Sequence, residues 1–130
     1  MSDAQQRALS NAERKVLKLL WAHKPLLVGD VIALLREMDQ EWTRSTVNSL
    51  LHRLEDKCYI VANKSKFAFT YQPLVSCEDV MHIQMMKIAK DFSDGDGFPL
   101  ILAFAKCYKF SPEELARLQC IIDELKRQTT

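Results

Sequence analysis

The stretch from Trp42 to Lys57, Trp-Thr-Arg-Ser-Thr-Val-Asn-Ser-Leu-Leu-His-Arg-Leu-Glu-Asp-Lys, constrains the chain more than any other. Val47, Leu50, Leu51 and Leu54 recur at i, i+3, i+4 and i+7, which makes one apolar stripe on a helix. Thr43 stands just ahead, where a hydroxyl accepts from the open amides of a first turn. The opposite face carries Ser45, Ser49 and His52, with Asn48 and Arg53 on its flanks and Arg44 in the first turn. No acid interrupts that face until Glu55 and Asp56, whereas a solvated helix face mixes Lys and Glu at i, i+4. Ser, Asn and Arg presented this way suit the major groove of DNA, where they reach base edges and phosphates. The competing reading is a plain surface helix, and the flanking segments decide between the two.

Upstream, Ser10 and Glu13 have the spacing of a capping box and open a helix. Its buried stripe is expected to be Ala12, Val16, Leu19 and Leu20, closed by Trp21. Residues 22–26 read as a turn, since Pro25 cannot continue a helix. A second helix is expected from about Gly29 to Met38, with Val28, Val31, Ile32 and Leu35 on its inner face. The acidic link Asp39-Gln40-Glu41 leads into Trp42. Two such helices joined by a short turn, the second polar outside, form a helix-turn-helix.

Downstream the period changes to two. Tyr59 to Asn63 and Phe67 to Gln72 read as strands around the tip Asn63-Lys-Ser-Lys66. Three helices followed by a hairpin with a basic tip make a winged helix. Lys64 and Lys66 then rest against phosphates beside the groove; the alternative is a solvated tip. His52 either contacts a base or phosphate or faces solvent without a role.

From Ser76 to about Phe92 the chain is helical again, with Val80, Ile83, Met85 or Met86, and Ile88 supplying apolar surface. Ser93-Asp-Gly-Asp-Gly97 breaks it. Phe98, Ile101, Leu102 and Phe104 belong to an apolar turn or short helix. Ser111-Pro-Glu-Glu114 then starts the last helix with a cap, a first-turn proline and a glutamate at the third position. Leu115, Leu118, Ile122 and Leu125 line it, widened by Ile121. These apolar pieces are too small to enclose a core alone, and a second copy of the chain would bury them. The expected architecture is α+β, mostly α: a winged helix-turn-helix domain at 1–74 and a small helical dimerisation region at 75–130. Two recognition helices one turn of DNA apart require such a two-fold dimer.

Composition adds limits. Residues 1–71 hold 11 Lys and Arg against 8 Asp and Glu, or +3, and residues 72–130 hold 7 against 9, or −2. That asymmetry agrees with nucleic-acid binding by the front part. No run approaches the ~20 apolar residues of a membrane span, and the N-terminus lacks the apolar core of a signal peptide. A cytoplasmic chain with reduced thiols is expected. Cys58, Cys77, Cys107 and Cys120 form no CxC or CxxC pair, so neither zinc knuckle nor redox motif is indicated. Cys77, Met81 and Met85, with His82 nearby, share a helix face that soft metal ions accept, but such a stripe more often serves adaptable packing. Cys107 and Cys120 similarly read as a thiol switch or as inert thiols. No Ser-His-Asp or Cys-His arrangement or paired acids appear, and 3 glycines are too few for a phosphate cradle. An enzyme is not expected, nor a cofactor or bound metal. A winged helix used for protein contacts is the rival from a different class.

Six pieces in order carry a resemblance: Leu9-Ser-Asn-Ala-Glu13, Leu20-Trp21, Trp42-Thr-Arg-Ser-Thr-Val47, Leu50-Leu-His-Arg-Leu54, Tyr71-Gln-Pro-Leu74 and Ser111-Pro-Glu-Glu-Leu115. Together they resemble the penicillinase-repressor family of the BlaI/MecI type, from about residue 9 to residue 127. The resemblance implies a homodimeric transcriptional repressor that binds palindromic operators, with DNA contacts falling here on Arg44, Ser45, Thr46, Asn48, Ser49 and Arg53. It further implies, for members acting in β-lactam resistance, a membrane sensor protease and cleavage at an Asn-Phe bond. The matching position is Ala103-Phe104, which lacks the asparagine. Cys58 also stands where the family usually has glycine, so either the cysteine takes a left-handed conformation or the turn is built differently. The paired CxC motifs of the copper-responsive branch are absent from this chain, although a metal- or redox-responsive repressor of the same fold remains the runner-up.

Overall fold

The computed structural model describes residues 8–64 and 69–129. Its elements run α1 (Asn11–Ala22), β1 (Leu26–Leu27), α2 (Val28–Glu37), α3 (Arg44–Asp56), β2 (Ile60–Asn63), β3 (Thr70–Pro73), α4 (Cys77–Ser93), α5 (Phe98–Cys107) and α6 (Pro112–Thr129). The chain divides into two compact units, one ending at Gly95 and the other starting at Asp96.

In the first unit the expected apolar stripes meet. Val16, Leu17 and Leu20 of α1, Val31 and Leu35 of α2, and Val47, Leu51 and Leu54 of α3 are fully buried in one core. Each such side chain contributes roughly 1.5–3 kcal/mol through the water it leaves. The ends of these helices are fixed locally. Ser10 Oγ accepts from the Glu13 amide at 3.1 Å while Glu13 Oε1 accepts from the Ser10 amide at 2.9 Å, completing the capping box. Thr43 Oγ1 accepts from the Thr46 amide at 3.2 Å and starts α3. Trp42, the residue before that cap, packs against the core, and Lys15 Nζ lies 5.8 Å from its ring centre.

The sheet has three antiparallel strands in the order β1-β3-β2. Ile60 pairs with Pro73 and Asn63 with Thr70, the hairpin expected of a wing. Leu26 and Leu27 pair with Tyr71 and Thr70, so part of the segment read as a turn is an edge strand. Two residues are too few to display a period-two pattern, which is why the sequence hides it. Phe67 and Ala68, expected in the second strand, lie outside the described residues, and the described strand begins at Thr70.

The compact unit runs past the expected boundary at residue 74, because α4 packs on it. Val80 joins the core and Ile83 is buried. Trp21 Nε1 donates to the Val75 carbonyl at 2.9 Å, and Gln84 Nε2 donates to the Tyr59 hydroxyl at 2.7 Å. Met85, Met86 and Ile88 remain exposed. The helix ends at Asp94, in a left-handed conformation, with the Gly95 amide bonded to the Ala89 carbonyl.

The second unit consists of α5 and α6. The segment read as an apolar turn or short helix is a ten-residue helix reaching Cys107. Ser111 and Glu114 exchange side-chain and backbone hydrogen bonds at 3.1 and 2.8 Å, the capping box expected for α6. Phe104 stacks on Tyr108 with ring centres 5.0 Å apart, and Tyr108 meets Phe110 edge-on at 4.7 Å. No residue of either helix is buried. Among the described residues, no helix is long and apolar enough to cross a membrane.

Candidate nucleic-acid interface

Arg44, Ser45, Thr46, Ser49, His52 and Arg53 are exposed along α3, and Asn48 is half-buried. The stripe that anchors them is the opposite one, Val47, Leu50, Leu51 and Leu54, with exposures between 0% and 4%. The helix is therefore held from one side only, and its hydrogen-bonding side chains are presented outward.

The structure divides these side chains into two groups. Arg44, Asn48 and His52, four residues apart along α3, line a concave cleft of about 590 Å³ together with Lys64 and Phe69 of the wing. The start of α2 closes it, through Leu27, Val28, Gly29 and Asp30. Gly29 stands next to Arg44: a Cβ built there would lie 3.8 Å from the guanidinium. Ser45, Ser49 and Arg53 form a parallel row on the outer face, outside the cleft. Thr46 is drawn into the cap, its hydroxyl 3.0 Å from that of Thr43. His52 Nδ1 lies 3.9 Å from Glu55 Oε1, and the imidazole is largely exposed. Lys64 is exposed beside the wing aromatic, Nζ 5.5 Å from the Phe69 ring centre. Lys66 lies outside the described residues.

Tyr71 forms the floor where β3 meets the cleft. Burial pushes its phenol above the ordinary value, and the Glu55 carboxylate adds to the effect, so the hydroxyl stays neutral. Phe69, Tyr71 and the α2 start are parts of this surface that sequence reasoning missed. They come from β3 and the residue ahead of it and from the start of α2, and pairing of β1 with β3 brings them together.

At the far end of α3 the helix is tied down by charge. Lys57, its C-terminal cap, donates from Nζ to both Glu13 carboxylate oxygens at 2.9 Å and to the Ala8 carbonyl at 2.8 Å. Glu13 is 2% exposed. Burial raises its pKa, but bonding to Lys57 and Ser10 outweighs that, and the carboxyl titrates below its ordinary value. Cys58 follows with φ 64°, the left-handed alternative of the two left open by the sequence.

No group of three or more His, Cys, Asp or Glu side chains among the described residues is placed to hold a metal ion. The arrangement offers hydrogen-bond donors and acceptors on a shaped, mildly basic surface, which is chemistry for recognition.

A helix-turn-helix with a β-wing beside an outward polar helix defines a winged-helix DNA-binding protein. Comparison with known proteins gives the family. Residues 9–124 match the penicillinase repressor family. The penicillinase repressor of Bacillus licheniformis is 27% identical over 120 residues, covering 92% of this chain and 93% of that protein. The methicillin resistance regulatory protein MecI of Mammaliicoccus sciuri is 25% identical over 116 residues, covering 89% and 94%. The solution structure of the DNA-binding domain of the repressor BlaI superposes with a TM-score of 0.51 at 29% identity, covering 61% of this chain and 93% of that domain. The chain belongs to the penicillinase repressor family. It is a DNA-binding transcriptional repressor and not an enzyme.

Proposed function

We propose that this repressor acts in the cytoplasm as a homodimer on a palindromic operator, blocking a promoter. Arg44, Ser45, Asn48 and Ser49 read base edges from the major groove, while Lys64, Lys66 and Arg53 hold phosphates; Thr46 and His52 complete the contact surface. The observation that carries this reading is the single cleft in which Arg44, Asn48 and His52 of α3 stand beside Lys64 of the wing. A duplex lying along α3 meets the wing at its backbone, which is the division between specifying and positioning contacts.

The dimer is supported by the second unit. Phe98, Ile101, Leu102 and Phe104 of α5 and Leu115, Leu118, Ile122 and Leu125 of α6 are between 39% and 62% exposed. Large apolar side chains exposed in this number on two short helices mark an interaction site, and a second copy of the same chain matches it by symmetry. Ala103 stands where the expected cleavage bond has an asparagine, so induction by a sensor protease has no matching bond at that position.

Operator titrations across a range of salt test the reading. Binding through several phosphates gives a steep linear fall of log affinity with log salt. Affinity that ignores salt would instead favour the rival use of the winged helix, contact with a protein partner.

A further inference from the structure

Between α1 and α4, wholly within the first unit, lies a groove of about 460 Å³. No residue lines both this groove and the cleft on α3. Its floor is core. Leu17 and Val80 are buried there, and the ring of Trp21 is held in place by its bond to the Val75 carbonyl. Met81 and Ile88 of α4 form the rim, 55% and 44% exposed. The lining stretch of α4, from Cys77 to Ile88, is roughly 16 Å long at the rise of a helix.

Size and charge separate this groove from an ordinary seam between helices. Packed interiors hold few voids larger than a water molecule, whereas small-molecule sites occupy about 300–1,000 Å³ and are mostly apolar with a few polar groups. The charged side chains that line the groove among the described residues are Arg14 and Lys18, one helical turn apart on α1 and both exposed. No acid lines it, and neither cation forms an ion pair among the described residues. Arg14 is already oriented, because its guanidinium donates to the Leu9 carbonyl at 2.9 Å and to Asn11 Oδ1. A guanidinium carries more donors than these two bonds use.

An apolar trough with cations along one wall matches one class of compound. A neutral apolar molecule leaves the cations unused, and a cation is repelled by them. A fully polar anion gains nothing from Leu17, Val80 and Met81. A carboxylate on an apolar chain uses both features, and the flexible Met81 side chain can close over such a chain. We propose that the groove between α1 and α4 is a binding site for a small amphipathic anion, a medium-chain carboxylate whose tail lies along α4 and whose head meets Arg14 and Lys18.

The test is calorimetric titration of the full-length protein with decanoate. Decanol and decyltrimethylammonium serve as neutral and cationic probes of the same chain length, each kept below the concentration at which it self-associates. Decanoate is expected to bind saturably and more tightly than either control. Arg14→Gln and Lys18→Gln together should weaken decanoate about tenfold, the effect of losing two exposed charge contacts, and leave decanol unchanged. Lys18→Gln alone should weaken it about threefold, and it carries the test if the double variant folds poorly, since Lys18 is exposed. Met81→Glu, which sets an acid in the groove, should weaken decanoate more than decanol. It also separates the groove from the exposed apolar side chains of α5 and α6. Absence of saturable decanoate binding overturns the proposal. So does equal binding of all three probes, or decanoate binding that Met81→Glu leaves unchanged, because apolar surface elsewhere then accounts for it.

Discussion

Arg44 and Cys58 stand at the two ends of the same helix and test different parts of the account. Arg44 opens α3 in the cleft that faces the wing, with its guanidinium beside Gly29. Arg44→Ala is expected to weaken operator binding by about 1–3 kcal/mol, the worth of one good base contact. A fluorescence anisotropy titration unchanged by the substitution would remove Arg44 from the interface. Cys58 sits at φ 64°, where a Cβ crowds the following carbonyl and costs roughly 1–2 kcal/mol. Glycine relieves that strain but adds about 0.5–1 kcal/mol of unfolded-chain freedom. Cys58→Gly should thus raise unfolding stability by about 0.5–1 kcal/mol in urea titrations, and a loss of stability would show that the cysteine side chain holds the turn.

Between elements, the Glu13–Lys57 pair joins the start of α1 to the end of α3. Glu13→Gln leaves the Lys57 ammonium, itself 16% exposed, without its counter-charge, and breaking such a pair costs about 3 kcal/mol. The pH dependence has a definite sign. The folded Glu13 pKa is lowered, so its contribution is complete above the unfolded value, about 4.3, and fades as pH falls through the lower folded value. The stability gap between wild type and Glu13→Gln should therefore be constant from neutral pH down to about pH 5 and narrow below about pH 4. A gap that widens with acid would contradict the assignment.

The same scale shows what a sequence discloses. Every residue of the stripe at 47, 50, 51 and 54 is buried as its spacing requires, and both capping boxes form. These are local patterns within one element. Glu13 and Lys57 are 44 residues apart and leave no local pattern, so their bond was hidden in a capping motif read for another purpose. Periodicity likewise marks α4 as amphipathic without saying which neighbour covers it. That is why Val80 and Ile83 turn inward while Met85, Met86 and Ile88 do not. The cleft followed partly from the polar face of α3, but Phe69, Tyr71 and the start of α2 enter it only through strand pairing.

For the whole molecule, the proposed repression requires two copies acting together. Leu118 and Ile122 lie at the centre of the exposed stripe on α6. Leu118→Asp should yield a monomer in sedimentation equilibrium. It should lower affinity for a palindromic operator on the order of 100-fold, the avidity lost when two linked sites bind separately, while leaving single half-site binding intact. A Leu118→Asp protein that stays dimeric would place the interface elsewhere.

The most direct measurement is selection from a pool of random duplexes at two salt concentrations, followed by sequencing of what is retained. The account predicts an inverted repeat with half-sites about one helical turn apart, enriched most clearly at the higher salt, where non-specific binding fades. A pool that emerges unselected would mean that the outward face of α3 does not read DNA sequence.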